Sequence, residues 1–159
     1  MINIFCDQTL LKVLKDNDVK DYCPAYNGES VGLDLYNAGD EITIPSIIES
    51  KSIPRTLIPT GLFIDVPLGY VALIQERGSI TKTSLKVRAG VIDPGYTGEI
   101  FVNLVNLSNE SKKINQGSKL PVQIVVVKCD NKFKVIEEEE YLRLTNEKLR
   151  KCGKVGSSD

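Results

Sequence analysis

The sequence predicts an all-β domain, a compact sandwich or barrel, and three observations carry that prediction. Turn signals built on Pro, Gly, Asn and Asp recur about every ten residues. The runs between them are short and β-branched, most clearly Ile100 to Leu107 and Val122 to Lys128. Helix-period patterns are almost absent. At 159 residues the chain is the size of one domain with a real core, and it contains no internal repeats.

The elements follow in order. Met1 to Cys6 is short and β-prone, a first strand. Asp7 to Ser30 is polar and mixed; Leu10, Leu11, Val13 and Leu14 could start a helical turn, and Pro24, Asn27 and Gly28 mark a loop. Val31 to Ala38 alternates Leu33 and Leu35 against Asp34 and Tyr36, a strand with Asp34 on its polar face. Glu41 to Ile44 is another short strand, and Pro45 to Pro54 a loop. From Thr56 to Gln75, apolar strands are broken at Pro59-Thr60-Gly61 and Pro67-Leu68-Gly69. Glu76 to Lys86 is polar and rich in small hydroxyl residues. Val91 and Ile92 end a buried strand, and Asp93-Pro94-Gly95 turns the chain into the next one. Glu137 to Lys151 opens with acids and closes with Lys148, Arg150, Lys151 and Gly153, the charge order of a short helix with a glycine stop. A glycine- and serine-bearing tail follows, so the chain divides into a β-domain at 1–149 and a flexible arm at 150–159.

Composition excludes several classes of function. With 20 basic and 21 acidic residues, no broad basic face is available to track nucleic acid. There is no histidine, which rules out a histidine-based triad, and Cys6, Cys23, Cys129 and Cys152 are scattered without a CxxC, which argues against zinc. Such cysteines read as reduced thiols of an intracellular, cytoplasmic protein. No basic segment precedes an apolar one at the N-terminus, and no apolar run approaches the roughly 20 residues needed to span a bilayer. No membrane partner is expected.

Three stretches offer chemistry. In GVIDPGYTGE (Gly90 to Glu99) an acid and an aromatic stand three residues apart on a Pro-Gly turn, which fixes its backbone. The carboxylate suits proton work and the ring suits stacking; a surface turn with a solvated Asp is the plainer alternative. Arg77-Gly78-Ser79 combines a guanidinium, backbone amides and a hydroxyl, a cradle for phosphate oxygens. Arg150 with Gly153, Gly156, Ser157 and Ser158 offers the same parts on the tail. Neither GxxxxGKS nor GxGxxG is present. By residues alone, the reading ends at a β-domain binding a phosphorylated small molecule.

Taken in order, these stretches resemble the trimeric deoxyuridine triphosphate nucleotidohydrolases, the dUTPases, over almost the whole chain. Five blocks correspond: VGLDLYNA with Asp34 as a supporting acid; ERGSITKT with Arg77; GVIDPGYTGEI with Asp93 on the catalytic carboxylate and Tyr96 on the sugar-stacking ring; GSKLPVQIVV with Gln123; and RKCGKVGSS with Arg150, Gly153, Gly156, Ser157 and Ser158. The resemblance implies a distorted β-barrel of jelly-roll type. It also implies a homotrimer whose sites take the first, second and fourth blocks from one subunit, the third from another and the arm from a third.

It further implies the reaction. Water oriented by Asp93 attacks the α-phosphorus of dUTP, giving dUMP and pyrophosphate, with Mg2+ carried mainly by the triphosphate. Arg77, Gly78, Ser79, Gln123 and the arm would bind phosphates. Tyr96 would lie under the deoxyribose, and the segment from Thr83 through Gly90, Val91 and Ile92 would read uracil through its backbone. The sequence departs from the family pattern at four places: Gly78 replaces a serine, Thr97 an arginine and Val155 a phenylalanine, and one extra residue precedes Gln123. A deaminase of dCTP on the same scaffold would need a glutamate where Asn103 stands, and Asn103 cannot act as a base. A non-catalytic nucleotide-binding protein on this scaffold is the other alternative.

Overall fold

The central ladder is built on the most β-branched run in the chain. A computed structural model describes residues 2–24, 29–50, 52–130 and 132–146. In it Lys119–Lys128 forms a ten-residue strand in which Leu120, Val122 and Ile124 point inward while Lys119, Pro121 and Gln123 face out. Its neighbours are Leu33–Tyr36 on one side and Tyr70–Glu76 on the other, and Tyr70–Glu76 also pairs with the two-residue strand Val91–Ile92. In chain order, the strands are β1 (Asn3–Cys6), β2 (Leu33–Tyr36), β3 (Ile42–Ile44), β4 (Thr56–Pro59), β5 (Leu62–Asp65), β6 (Tyr70–Glu76), β7 (Leu85–Arg88), β8 (Val91–Ile92), β9 (Phe101–Asn106), β10 (Lys112–Ile114) and β11 (Lys119–Lys128).

These strands form four ladders, β2-β11-β6-β8, β4-β9-β7, β1-β5 and β10-β3, with every strand pair antiparallel. The ladders surround one hydrophobic core, to which Leu35, Ile44, Ile58, Leu62, Ile100, Leu104 and Leu120 contribute fully buried side chains. The predicted all-β architecture is therefore present. Among the described residues, however, the ladders do not join into one closed barrel.

Pro121 explains an irregularity in the central ladder. Lys119 faces Tyr36 and Gln123 faces Asp34, so Leu120, Pro121 and Val122 lie opposite Leu35 alone. Proline has no N–H to give a ladder, and inside a sheet it is confined to edges and bulges. β11 therefore carries two residues more than β2 across this bulge, and the even number keeps Gln123 on the face that carries Asp34. Pro59 meets the same constraint by lying on β4, an edge strand.

The segment after β1 departs from the expectation of a mixed loop with at most a helical turn. Gln8–Asp16 is a helix, α1, with Leu10, Val13 and Leu14 buried on one face. Asp7 caps it by accepting from the Leu10 amide at 2.8 Å. The C-terminal acidic stretch is helical over Glu138–Asn146 (α2), which buries none of its residues. The predicted helix continued to 151; its last part lies outside the described residues. Among those residues, no helix is long and apolar enough to cross a membrane.

Two buried asparagines hold the loops that flank the ladders. Asn106 donates to the carbonyls of Ile44 and Glu110 and accepts from Ser84 Oγ at 2.9 Å, which anchors the start of β7. Asn37 donates to the carbonyl of Asp40 at 2.9 Å, and its backbone exchanges hydrogen bonds with Gly117 and Ser118 just before β11.

Candidate active site

The predicted site residues fall into two groups at separate places on the chain. The first gathers where β2, β6 and β11 end together. Strand alternation puts Gln75, Gln123 and Asp34 in a row across the outer face, because Gln123 pairs with both of its neighbours. Arg77 leaves β6 on this same face, and its Nε sits 2.8 Å from Asp34 Oδ1. Lys119 Nζ lies 2.8 Å from the other oxygen, Oδ2. That hydrogen bond raises the lysine above its ordinary value, against a smaller opposing effect of burial. The ammonium also stands 5.6 Å from the centre of the Tyr36 ring, a cation–π distance.

Further contacts fix this corner. The Arg77 amide donates to the carbonyl of Pro121 at 3.0 Å, which fastens the end of β6 to the bulge. Tyr22 donates its hydroxyl to the carbonyl of Asp34 at 2.6 Å, and burial pushes that hydroxyl far above its usual range. Gln123 lies over Gly32 so closely that a Cβ there would stand 2.0 Å from its Oε1. After Arg77 the chain makes a 3-10 turn over Gly78–Lys82, pinned by buried Ile80. A side chain added at Gly78 would meet nothing within 4 Å, so the backbone there is open to an approaching ligand. Arg77, Ser79, Lys113, Ser118 and Lys119 line a cavity of about 330 Å³. Three cations and three hydroxyls, that of Thr83 included, around one depression suit an anion with several oxygens.

The second group is the turn after β8. The Tyr96 amide donates to the carbonyl of Asp93 at 3.0 Å, closing the Pro-Gly turn, and the Tyr96 hydroxyl donates to the carbonyl of Glu99 at 2.7 Å. The ring is thereby held while 44% exposed. Glu99 is fixed in turn, since its Oε1 accepts from the Gly61 amide at 2.8 Å. The Gly61 carbonyl accepts from the Asp7 amide at 2.9 Å. Gly90 enters β8 at φ +113°, and a Cβ there would stand 3.0 Å from the Ile74 Cβ and 3.1 Å from its carbonyl oxygen. Asp93, Tyr96 and the segment Gly90 to Ile92 share a cavity of about 310 Å³ with Arg55 and Phe101.

No residue lines both cavities. The structure therefore brings Asp34, Arg77, Ser79 and Gln123 together, and separately Asp93, Tyr96, Gly90, Val91 and Ile92. Gly78 begins the turn beside the first group. Arg150, Gly153, Gly156, Ser157 and Ser158 lie outside the described residues. Thr97 lines a neighbouring hollow with Phe5, Phe63 and Tyr96. Sequence reasoning missed Lys119 and Tyr22. Lys119 carried a usable signal, because it is four residues before Gln123 and so shares its strand parity. Tyr22 carried none, since its partner is reached only through the tertiary fold.

Comparison with known proteins identifies the family of the chain. The sequence model of the dUTPase family matches residues 18–158. The deoxyuridine 5'-triphosphate nucleotidohydrolase of Wolbachia sp. subsp. Brugia malayi is 36% identical over 134 residues, covering 82% of this chain and 80% of that protein. The protein of the same name from Cytophaga hutchinsonii is 38% identical over 120 residues, covering 73% and 74% respectively. Among solved structures, a point mutant of the dUTPase from S. aureus phage phi11, described with a structural Mg(II) ion, superimposes with a TM-score of 0.64. It is 22% identical and covers 88% of this chain and 99% of its own. Native EIAV dUTPase gives a TM-score of 0.64 at 24% identity, covering 87% and 98%. By the match across 18–158 and the identity to these relatives, the chain belongs to the dUTPase family.

Proposed function

We propose that this protein hydrolyses dUTP to dUMP and pyrophosphate. The observation that carries the reading is the exposed Asp93 carboxylate on the wall of a cavity it shares with a fixed tyrosine ring and the backbone of Gly90 to Ile92. A deoxyribose fits against Tyr96, and the backbone groups offer donors and acceptors to a pyrimidine edge. Asp93 orients a water and takes its proton as the oxygen attacks the α-phosphorus. The bond from that phosphorus to the bridging oxygen breaks, and pyrophosphate leaves with its electron pair. Arg77, Lys119 and Ser79 bind phosphate oxygens, Asp34 and Gln123 hold that corner, and Arg150 with Gly153, Gly156, Ser157 and Ser158 completes the grip.

Magnesium enters with the substrate in this reading. Among the described residues, no group of three His, Cys, Asp or Glu side chains could hold a metal ion. Mg2+ favours phosphate oxygens and waters, so it would be held mainly by the triphosphate and, when bound, would supply neutralisation of charge on the leaving pyrophosphate.

The same reading makes the working unit a trimer. Asp93 and Arg77 line different cavities of one chain, and in this reading the site takes Asp93 from a second chain and the arm from a third. Incubation with dUTP, dCTP and magnesium, with products separated by chromatography, tests the activity. Release of dUMP and pyrophosphate from dUTP alone is expected. Deaminated product from dCTP, or binding without turnover, would replace this reading. Sedimentation of a monomer at working concentration would defeat the shared site.

A further inference from the structure

Glu76 closes the β6 strand one residue before Arg77, and alternation sends the two side chains to opposite faces. Arg77 joins Asp34; Glu76 stays on the face of Ala72 and Ile74, where the β7–β8 hairpin lies. Along that hairpin the ladder runs Ala72 to Ile92 and Leu73 to Val91, and the Ile74 amide donates to the Gly90 carbonyl at 2.8 Å. There it stops. Ala89 at φ +60° and Gly90 at φ +113° turn the chain away from β6, and β7 pairs instead with β9. A left-handed alanine is an uncommon, strained conformation, kept only where the surroundings impose it. β7 thus leaves the edge of β6, and its Val87 amide faces the end of that strand.

One side chain reaches from β6 across to β7. Glu76 Oε1 accepts from the Val87 amide at 3.3 Å, and the same oxygen lies 3.0 Å from Lys86 Nζ. Val122, opposite Glu76 on β11, brings no charge to this contact.

We infer that Glu76 is a positioning residue for base selection, its carboxylate fixing the distance between β6 and β7 and so the width of the slot that receives the pyrimidine. This rests on the reading of the hairpin as the uracil site. A slot of fixed width admits a hydrogen at C5 of the base and crowds a methyl group. Truncating Glu76 frees the Val87 amide and lets β7 move outward, so the methylated base is tolerated better and the unmethylated one held less well. Glutamine keeps an acceptor for Val87 and gives up only the charge toward Lys86.

The test measures dissociation constants of dUMP and dTMP by calorimetry for the wild-type protein, Glu76→Ala and Glu76→Gln, with hydrogen exchange at the Val87 amide in each. Expected are a fall in dUMP-over-dTMP preference of about 5- to 10-fold in the alanine variant, the scale of one lost hydrogen bond, and near-complete recovery with glutamine. Exchange at Val87 should quicken in Glu76→Ala while the β7–β9 ladder amides stay protected. A preference unchanged in Glu76→Ala would overturn the inference, as would equal loss in the alanine and glutamine variants. Failure of the wild-type protein to hydrolyse dUTP would sink the proposed activity instead, and the two affinities would still decide the role of Glu76.

Discussion

Asp34 meets Arg77 through Nε, the inner nitrogen of the guanidinium, with 2.8 Å between Nε and Oδ1. With Lys119 on its second oxygen, one carboxylate aims two cations. Asp34→Asn removes the charge and keeps the shape. The KM for dUTP should rise about 10- to 100-fold, the scale of a lost charge-assisted hydrogen bond, with kcat less affected. Steady-state kinetics check this, and an unchanged KM would show that the pair serves stability alone.

Lys119 supplies a pH test. Its folded value lies above 10.5 because Asp34 accepts its hydrogen bond, so its stabilising contribution is fully present below 10.5 and is lost as pH rises through the raised value. Lys119→Met should therefore unfold more readily than wild type at pH 8, with the difference shrinking by pH 11. Parallel denaturant curves at the two pH values decide it; a difference that stays constant would separate Lys119 from Asp34.

Gly90→Ala places a methyl group where φ is +113° and Ile74 stands 3.0 Å away. The backbone strain and the contact together should cost about 2 kcal/mol or more of stability. Chemical denaturation measures that loss.

Asp93→Asn should leave the fold intact, since the turn is closed by the Asp93 carbonyl and not by its carboxylate. Turnover should fall about 100-fold or more, as expected when a positioned general base is lost. Near-normal turnover would send the search for the base elsewhere.

Removing residues 150–159 should damage dUTP turnover severely and leave dUMP affinity nearly unchanged, because dUMP lacks the phosphates that Arg150, Ser157 and Ser158 would grip. Equal loss for both nucleotides would assign the arm to the base.

The strand ladders and the Asp93 turn were legible because their signals are local. Alternation in Leu33–Tyr36, the β-branched run in β11 and Asp-Pro-Gly chemistry each act within a few residues. Helix α1 was obscured because its apolar face holds only Leu10, Val13 and Leu14 in a polar stretch, and its Asp7 cap looks like any loop acid. The link from Asp34 to Lys119 spans 85 residues of sequence and is made only where β11 pairs with β2, with Lys119 opposite Tyr36. The separation of Asp93 from Arg77 is a property of the packed ladders, and nothing in the spacing of the motifs announces it.

The hydrogen bonds that hold Tyr96 reach further back than the turn itself. The ring hydroxyl rests on the Glu99 carbonyl, the Glu99 carboxylate on the Gly61 amide, and the Gly61 carbonyl on the Asp7 amide, where α1 begins. Residues 2–17, which precede the family match, thus form the far abutment of an arch whose near end is the Tyr96 ring. A change at Asp7 or in α1 that broke the Asp7–Gly61 link would be felt at the Tyr96 ring, so this leading segment bears on how that ring is held.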